Sequence, residues 1–323
     1  MRNSIVSAAL AAFAWCGLHS SALAQDYPSK PIRIVVPFAV GTALDVVARA
    51  TGDGISQELK VPVIVENRLG ASGVVGTDSV AKAPPDGYTI LFTSPAHYLN
   101  TSLYKKLPYD AVKDFRPVTK ISNAQLVLLV PKSSPFNSAK ELVAAAKAKP
   151  GELTYSSAGN GSTTQLCSAL FNAMAGVDIK HIPYKSGGQA VMDLIGGQIS
   201  TTFTAVATAI PHVKSGSVKA LGVSGLVRSP SMPDVPTISE AALPGYELVS
   251  WSGALVRAGT PDEIVAKLNA AMVRVASKPE FQARLGAAGV EMDLMPTDVF
   301  TAKVAQEVPK WAKVAEAANV VPE

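Results

Sequence analysis

Short apolar runs alternate with amphipathic segments along most of the chain. Residues 32–36 form a β-branched run that ends at Pro37, which predicts a buried strand. After a polar loop, Asp45 begins a segment whose apolar residues recur at helical spacing as far as Leu59, which predicts a helix. This alternation continues to the C-terminal part of the chain. It predicts an α/β fold with a mostly parallel sheet covered by helices on both faces.

The same patterning places the remaining elements. It predicts strands at 61–65, 89–92, 126–130, 153–156, 179–182, 199–202 and 219–223. It predicts helices at 77–83, 139–148, 162–175, 189–195, 261–276, one that ends at 215 and one that ends near 318. Ser138 is the expected cap of the helix at 139–148. Because the strands fall into a group before residue 100 and a group between 121 and 226, and the chain has 323 residues, we expect two sheets in two lobes.

The first 24 residues have the pattern of an export signal. Arg2 supplies a positive charge, residues 5–18 carry no charge, and Ala22-Leu23-Ala24 matches the small-x-small site that signal peptidase reads. The apolar run is too short for a membrane-spanning helix. We therefore expect cleavage after Ala24, a mature chain that begins at Gln25, and a periplasmic location.

Cysteine usage agrees with a fold that relies on its core. Cys16 lies within the export signal, and Trp15 before it disfavours a lipid anchor, which needs a small residue there. The mature chain keeps one thiol, Cys167, so it has no internal disulfide although the compartment is oxidising. We interpret Cys167 as a small apolar helix residue.

Composition excludes two broad classes of protein. Hydrophobic residues make up 48% of the chain and charged residues 17%, which excludes a disordered chain. The formal net charge of +4 is spread thinly, with no run of Lys or Arg. A protein that binds nucleic acid would concentrate such charge on one stripe, so we expect no nucleic-acid partner.

Four loops rich in Gly, Ser and Thr are the candidate site. They occupy residues 37–45, 70–76, 156–164 and 184–188, and each leads from a predicted strand into a predicted helix. Backbone N–H groups at such turns are free and carry the positive end of the helix dipole, so they bind anions. Lys185 is the one cation in the loops, with Arg68 just before the second. A phosphate site would add more cations, so the set favours a carboxylate.

Signatures of enzymes are weak. There is no G-x-S-x-G motif, and His97, His181 and His212 lack the spacing of a zinc site. Residues 159–164 begin like a dinucleotide fingerprint but lack its third glycine, and residues 79–82 match only the bare S-x-x-K of penicillin-recognising enzymes. We therefore expect binding without a cofactor, metal or catalytic residue. The enzymatic alternative is a secreted hydrolase or lyase assembled from Ser94, Ser157 and His97.

Several spaced segments together resemble one family. They are 27–38 (YPSKPIRIVVPF), 66–73 with ENR and GASG, 84–89 (PPDGYT), 155–162 (YSSAGNGS) and 183–188 (PYKSGG). In this order they resemble the Bug family, also called TctC, the periplasmic solute receptors of tripartite tricarboxylate transporters. The resemblance implies a two-lobed periplasmic-binding-protein fold of type II that closes about a hinge. It implies a first lobe of residues 26–121 and 227–323, and a second lobe of residues 122–226.

The resemblance also implies which residues face the ligand. From the first lobe these are Phe38, Gly41, Thr42, Ser94 and His97. From the second lobe they are Ser157, Ala158, Gly159, Ser162, Thr163, Tyr184, Gly187 and Asp193. Two positions depart from the family pattern, since Thr42 stands where a second glycine is usual and Gln165 where a histidine is frequent.

The function that these features imply is capture of a small organic carboxylate by an exported, monomeric receptor, which delivers it to membrane permease subunits. A sensor that presents its liganded state to a membrane signalling protein would have the same fold and stays open as an alternative. The loops leave the ligand open among dicarboxylates, tricarboxylates, aromatic carboxylates and acidic amino acids.

Overall fold

The computed structural model describes residues 27–159, 162–184 and 187–317. These residues contain eleven strands, eleven α-helices and a short 3-10 helix at Ala71–Gly73. The strands, in chain order, are β1 (Ile32–Val36), β2 (Val63–Asn67), β3 (Thr89–Thr93), β4 (Phe115–Ala124), β5 (Leu126–Pro131), β6 (Thr154–Ser157), β7 (Lys180–Pro183), β8 (Thr201–Ala205), β9 (Val218–Val223), β10 (Ser250–Arg257) and β11 (Glu291–Met295). The helices are α1 (Ala43–Leu59), α2 (Val74–Ala81), α3 (Ala96–Leu103), α4 (Ala139–Ala148), α5 (Thr163–Ala175), α6 (Gly187–Ile195), α7 (Val206–Lys214), α8 (Ile238–Ala241), α9 (Asp262–Ala276), α10 (Pro279–Ala287) and α11 (Thr297–Ala317).

The strands form two sheets, one in each lobe, as the sequence predicts. The first sheet has the order β11-β4-β10-β3-β1-β2, and the second has the order β7-β6-β8-β5-β9. The prediction of mostly parallel sheets is wrong: among the described strands four pairings are parallel and five are antiparallel. In the first sheet β10 returns from the C-terminal part of the chain and inserts between β3 and β4, antiparallel to both. In the second sheet β5 is antiparallel to both β8 and β9.

Burial on both faces explains the sequence of β1. Ile32, Ile34 and Val36 pack into one apolar cluster with α1 and α9, whereas Val35 points to the other face and joins a second cluster. All four side chains are fully buried. The second cluster also contains Leu166 of α5 and Trp311 of α11, so one apolar core runs through both lobes. Burial of each such side chain contributes about 1.5–3 kcal/mol to the free energy of unfolding.

The first crossing between the lobes joins the carboxyl edges of the two sheets. Strand β4 is antiparallel to β10 and β10 to β3, so β4 runs in the direction of β1, β2 and β3 and ends at their carboxyl edge. One residue later β5 begins, with Leu126 opposite Ala205, the last residue of β8. Since β6 and β7 run parallel to β8, their carboxyl ends lie at this edge as well. Both carboxyl edges therefore meet at Gln125.

The second crossing lies beside the first. Strand β9 pairs with β5 so that Val223 faces Val127, and the next residue, Ser224, bonds directly to the first crossing. The Ser224 amide donates to the Leu126 carbonyl (2.8 Å), and the Leu126 amide donates to Ser224 Oγ (3.0 Å). The Ser224 carbonyl in turn accepts from the Leu248 amide (3.0 Å). The two lobes are thus hinged along one edge, and the loops that follow the parallel strands border the cleft at this hinge.

The lobe limits of 121/122 and 226/227 stay a prediction. The chain passes from the first sheet to the second at Gln125, and it leaves the second sheet after Val223. Beyond Val223, Met232 still packs into an apolar cluster of second-lobe residues, and Ile238 lies against Gly222 of β9.

The local predictions at α4 and α5 hold. Helix α4 occupies the predicted 139–148, and Ser138 caps it by accepting a hydrogen bond from the Glu141 amide (3.2 Å). Cys167 is a free, buried residue of α5, and burial raises the pKa of its thiol. The predicted export signal, including Cys16, lies outside the described residues.

None of the helices that the structure describes combines the length and the apolar character needed to cross a membrane.

Gly289 allows the turn after α10 to approach the second lobe. A Cβ built on Gly289 would lie 2.1 Å from the Cβ of Ala207 in α7 and 2.7 Å from its Cα. Gly289 also has a positive φ of 66°. A side chain at this position would force the two lobes apart at their contact.

We expect Gly289→Ala to lower the free energy of unfolding by about 2–4 kcal/mol, because overpacking adds to the strain of a positive φ. Gly245→Ala is the matched control, since Gly245 has a similar φ of 81° and no atom within 4 Å of its Cβ position. The control should lose only about 1 kcal/mol in urea denaturation. Equal losses in the two variants would show that the approach to Ala207 is unimportant.

Candidate functional site

The first loop connects β1 to α1 and presents the start of that helix. Thr42 is the N-cap, and its Oγ1 accepts a hydrogen bond from the Asp45 amide (3.3 Å). The first amides of a helix have no acceptor within it, and this cap satisfies one of them. The amides of Ala43 and Leu44 belong to the same first turn, at the carboxyl edge of the first sheet. The Gly41 amide is not available, because it donates to Asp45 Oδ2 (3.0 Å).

The second loop is strained and packs against the first. Gly70, Ala71, Ser72 and Gly73 have φ values of 137°, 45°, 52° and 94°, so two residues with side chains adopt the left-handed region in succession. Each costs about 1–2 kcal/mol and persists only where surrounding contacts fix it. The Ser72 carbonyl accepts a hydrogen bond from Asn100 Nδ2 (3.1 Å). A Cβ on Gly73 would lie 3.3 Å from the ring of Phe38, so the glycine lets this loop support the first.

The third loop repeats the capping arrangement in the second lobe. Ser162 is the N-cap of α5, and its Oγ accepts from the Gln165 amide (3.3 Å) and donates to the Gly159 carbonyl (2.6 Å). The amides of Thr163 and Thr164 belong to the same first turn, at the carboxyl edge of the second sheet. The Ala158 amide is taken by Thr164 Oγ1 (2.9 Å). Asn160 and Gly161 lie outside the described residues.

Ser157 and His181 form a close pair below the third loop. Ser157 Oγ lies 2.7 Å from His181 Nε2, and His181 stacks on Tyr155 with ring centroids 4.9 Å apart. Burial lowers the pKa of His181 below its ordinary value, so the ring is neutral at pH 7. A serine beside a neutral histidine is the arrangement of a nucleophile and its base. Here the other ring nitrogen, Nδ1, lies 3.5 Å from the side-chain amide of Gln165 and not beside a carboxylate.

The surroundings of Ser157 indicate a structural role for this pair. Its side chain is only 1% exposed, and Oγ also accepts a hydrogen bond from the Gly159 amide (3.1 Å). A nucleophile needs an accessible lone pair, whereas this hydroxyl is enclosed by the loop that it holds. Ser157 and His181 therefore fix the third loop.

The fourth loop lies beside the third. The Tyr184 amide donates to the Ser157 carbonyl (3.0 Å), and the Tyr184 hydroxyl donates to Asp193 Oδ2 in α6 (2.9 Å). Burial, with the hydrogen bond to Asp193, raises the pKa of Tyr184. Gly187 begins α6, and Lys185 and Ser186 lie outside the described residues.

His97 is placed differently from the expectation. It is 2% exposed and sits among Tyr98, Tyr109 and Phe115, and its Nε2 lies 2.8 Å from the Ala111 carbonyl. Burial lowers the pKa of His97 from 6.5 to about 4. His97 is thus a neutral residue of α3 that packs into the core. The structure does not expose its ring to the cleft, because the helix that follows Ser94 turns it inward.

The other predicted residues fall into two groups at the carboxyl edges that meet at Gln125. The first group lies after strands β1 and β3 and consists of Phe38, Gly41, Thr42 and Ser94. The second group lies at the ends of strands β6 and β7 or just after them, and consists of Ser157, Ala158, Gly159, Ser162, Thr163, Tyr184 and Gly187. Asp193 lies within α6 and reaches this edge through Tyr184. That these residues contact a ligand stays a prediction. Sequence reasoning did not assign Asn67 or His181 to the site, although both lie on strands that run to the same edges.

The described parts of the four loops offer no unpaired cation. Arg68 Nε bonds to Glu66 Oε1 (3.2 Å), and Arg49 Nε bonds to Asp45 Oδ2 (3.0 Å). The described residues also contain no cluster of His, Cys, Asp or Glu that could hold a metal ion. The groups left to bind an anion there are backbone amides and hydroxyls at helix N-termini.

Comparison with known proteins identifies close relatives over most of the chain. The family model for TctC, the tripartite tricarboxylate transporter family receptor, matches residues 47–320. Protein BugT of Bordetella pertussis is 33% identical over 303 residues, which cover 93% of each chain. A solved R. palustris protein with adipate is 33% identical with a TM-score of 0.80, covering 92% of this chain and 100% of its own. MatC from Rhodopseudomonas palustris, solved with bound malate, is 33% identical with a TM-score of 0.75, covering 89% and 99%.

The buried His97 generates a prediction about stability and pH. Because the unfolded chain binds a proton at this histidine below pH 6.5 and the folded protein does not until about pH 4, the free energy of unfolding should fall as the pH decreases through this window. The loss attributable to His97 is roughly 3 kcal/mol, from about 1.4 kcal/mol per pKa unit. Above pH 6.5 the contribution is fully present.

His97→Gln is the informative variant, since Gln can still donate to the Ala111 carbonyl but does not titrate. Urea denaturation at pH 7 and pH 4.5 should show a smaller loss of stability in the variant than in the wild type. Parallel pH dependence in both proteins would show that the burial of His97 does not control it.

Proposed function

Because the chain belongs to the TctC family of tripartite tricarboxylate transporter receptors, we propose that it is an exported receptor that captures a small organic carboxylate between its lobes and delivers it to a membrane transporter. The N-terminal pattern of residues 1–24 supports export to the periplasm. We propose that it acts as a monomer whose lobes, residues 26–121 with 227–323 and residues 122–226, close over the ligand about the hinge at Gln125.

The observation that carries this proposal is the pair of capped helix N-termini, one in each lobe, at the shared edge. The amides of Ala43 and Leu44 belong to the first lobe, and those of Thr163 and Thr164 to the second. Each pair begins a helix of at least 13 residues and so lies at the positive end of its dipole. A ligand with a carboxylate can bind both lobes only when they are closed, which couples binding to closure.

The chemistry of the loops favours an organic acid over a sugar or a phosphate ester. Arg49 and Arg68 are already paired, so a carboxylate would be held by neutral donors at the two helix starts. Adipate and malate, which bind to two of the related proteins, each carry two carboxylates. Two amide pairs on opposing lobes suit a dicarboxylate of this kind, with Phe38, Thr42, Ser94 and Tyr184 lining the space between them.

A thermal-shift screen tests the proposal. Mature protein should be heated with adipate, malate, citrate, glutamate, an aromatic dicarboxylate and neutral sugars, each well above its expected dissociation constant. A ligand at 100 times its dissociation constant stabilises the folded state by about 2.7 kcal/mol, which raises the melting temperature of a chain of this size by several degrees. We expect at least one carboxylate to do so.

Two results would contradict the proposal. A shift with a neutral sugar and with no carboxylate would exclude the anion site. Conversion of the bound acid to a product, seen by mass spectrometry after incubation, would indicate an enzyme, because a receptor returns its ligand unchanged.

A second experiment tests whether the third loop belongs to the site. Gly159 has a φ of 107°, and its Cβ position lies 3.5 Å from the Tyr184 carbonyl. Gly159→Val should force this loop out of its conformation and weaken carboxylate binding at least about tenfold, equivalent to 1.4 kcal/mol. Isothermal titration with the acid that gives the largest thermal shift measures the effect.

Gly216→Val is the matched control for this variant. Gly216 has a φ of 69°, no atom within 4 Å of its Cβ position, and lies before β9 at the edge of the second sheet opposite the cleft. Gly216→Val should lower the free energy of unfolding by about as much as Gly159→Val does, but it should keep the wild-type affinity for the carboxylate. Wild-type affinity in Gly159→Val would remove the third loop from the site.

A further inference from the structure

Three side chains behind the first loop form a closed ring of hydrogen bonds. Asp45 Oδ2 accepts from Arg49 Nε (3.0 Å), and Asp45 Oδ1 accepts from Asn67 Nδ2 (2.8 Å). Asn67 Oδ1 accepts from Arg49 Nη2 (2.6 Å). Each of the three residues is therefore bonded to the other two. Asp45 and Arg49 lie one turn apart on α1, and Asn67 is the last residue of β2.

The ring is attached to both ends of the first loop. Asp45 Oδ2 accepts from the Gly41 amide (3.0 Å), and Asn67 Nδ2 donates to the Phe38 carbonyl (2.9 Å). Between these two anchors, residues 39–41 are exposed and would otherwise sample many conformations. Fixing the backbone of one residue costs about 1–2 kcal/mol of conformational entropy. The ring meets this cost during folding, before any ligand arrives.

The ring also compensates the negative charge of Asp45. Asp45 is only 2% exposed and lies behind a loop proposed to bind an anion, where an uncompensated carboxylate would repel the ligand. Although burial raises it, the hydrogen bonds from Arg49, Gly41 and Asn67 together lower the pKa of Asp45 below its ordinary value. Asp45 is thus ionised at neutral pH, and the Arg49 guanidinium neutralises its charge.

We infer that Asp45, held by Arg49 and Asn67, is a positioning residue that presets the first loop for ligand without touching the ligand. This inference rests on the proposed carboxylate-binding function. If the loop adopts its competent conformation only part of the time, the apparent dissociation constant rises by the inverse of that fraction. The ring therefore sets affinity through the population of the competent loop and hence through the association rate.

Asp45→Asn tests the inference with little change in size. The asparagine has one oxygen and one NH2 group, so one of its two faces must set a donor against a donor, either Asn67 Nδ2 or the Gly41 amide and Arg49 Nε. We expect the dissociation constant for adipate, or for malate if adipate does not stabilise the wild type, to rise at least tenfold in isothermal titration. Stopped-flow mixing should assign most of the change to slower association.

Glu58→Gln is the matched control on the same helix. Glu58 pairs with Arg274 (2.5 Å) at the other end of α1, so this variant also removes one charge and one ion pair. Its affinity and association rate should equal those of the wild type. Asn67→Ser is a second variant, which removes the bonds to Phe38 and Asp45 but keeps the one between Asp45 and Gly41. Asn67→Ser should give a smaller loss of affinity than Asp45→Asn, and it tests the inference if Asp45→Asn does not fold.

Amide hydrogen exchange separates positioning from general destabilisation. In ligand-free Asp45→Asn the Gly41 amide should exchange faster than in the wild type, while amides of β1 keep their protection. Wild-type affinity in Asp45→Asn and Asn67→Ser, or an equal loss in Glu58→Gln, would overturn the inference. Failure of the wild type to bind any carboxylate would instead overturn the proposed function, so the two failures are distinguishable.

Discussion

The position of Gln125 between two strands is the constraint on which the site depends. Its side-chain Oε1 accepts from the Gly225 amide (3.1 Å), and its Nε2 donates to the Val227 carbonyl (3.2 Å) and to Glu291 Oε2 (3.1 Å). The two crossings between lobes are thereby joined to each other and to β11. Because β4 ends and β5 begins here, the carboxyl edges of both sheets are brought together. This connectivity alone places the N-termini of the helices that follow the strands at the border of one cleft.

The loops at this cleft satisfy most of their polar groups internally. Thr42 and Ser162 cap their helices, Asp45 binds the Gly41 amide, and Ser157 binds the Gly159 amide. Such contacts contribute about 1 kcal/mol each to stability, and more importantly they leave only selected amides unpaired. For the proposed ligand, donors held in fixed directions would mean that binding requires less ordering of the protein, which favours affinity.

Much of this arrangement could be predicted from the sequence, because it depends on local patterns. The apolar run of β1, the cap Ser138 and the glycine loops are all signals within a few residues. Strands β4, β10 and β11 were missed because their burial depends on distant partners. Lys120 in β4, for example, is 1% exposed and pairs with Asp293, 173 residues away. The burial of His97 likewise depends on residues outside its own helix, since its aromatic surroundings include Tyr109 and Phe115.

The proposed recognition of the ligand by backbone amides at two helix starts would suit a receptor that must give up its ligand. A buried ion pair with a carboxylate is costly to break, since removing one partner leaves the other charge unsolvated. Amides at the start of α1 in one lobe and α5 in the other would stabilise the ligand only while both face it. When the hinge opens, each helix start regains water as a hydrogen-bond partner, so nothing is left buried and unpaired. The open and closed arrangements of the lobes can then differ by a modest free energy. A membrane partner could supply this free energy by binding preferentially to one of the two arrangements.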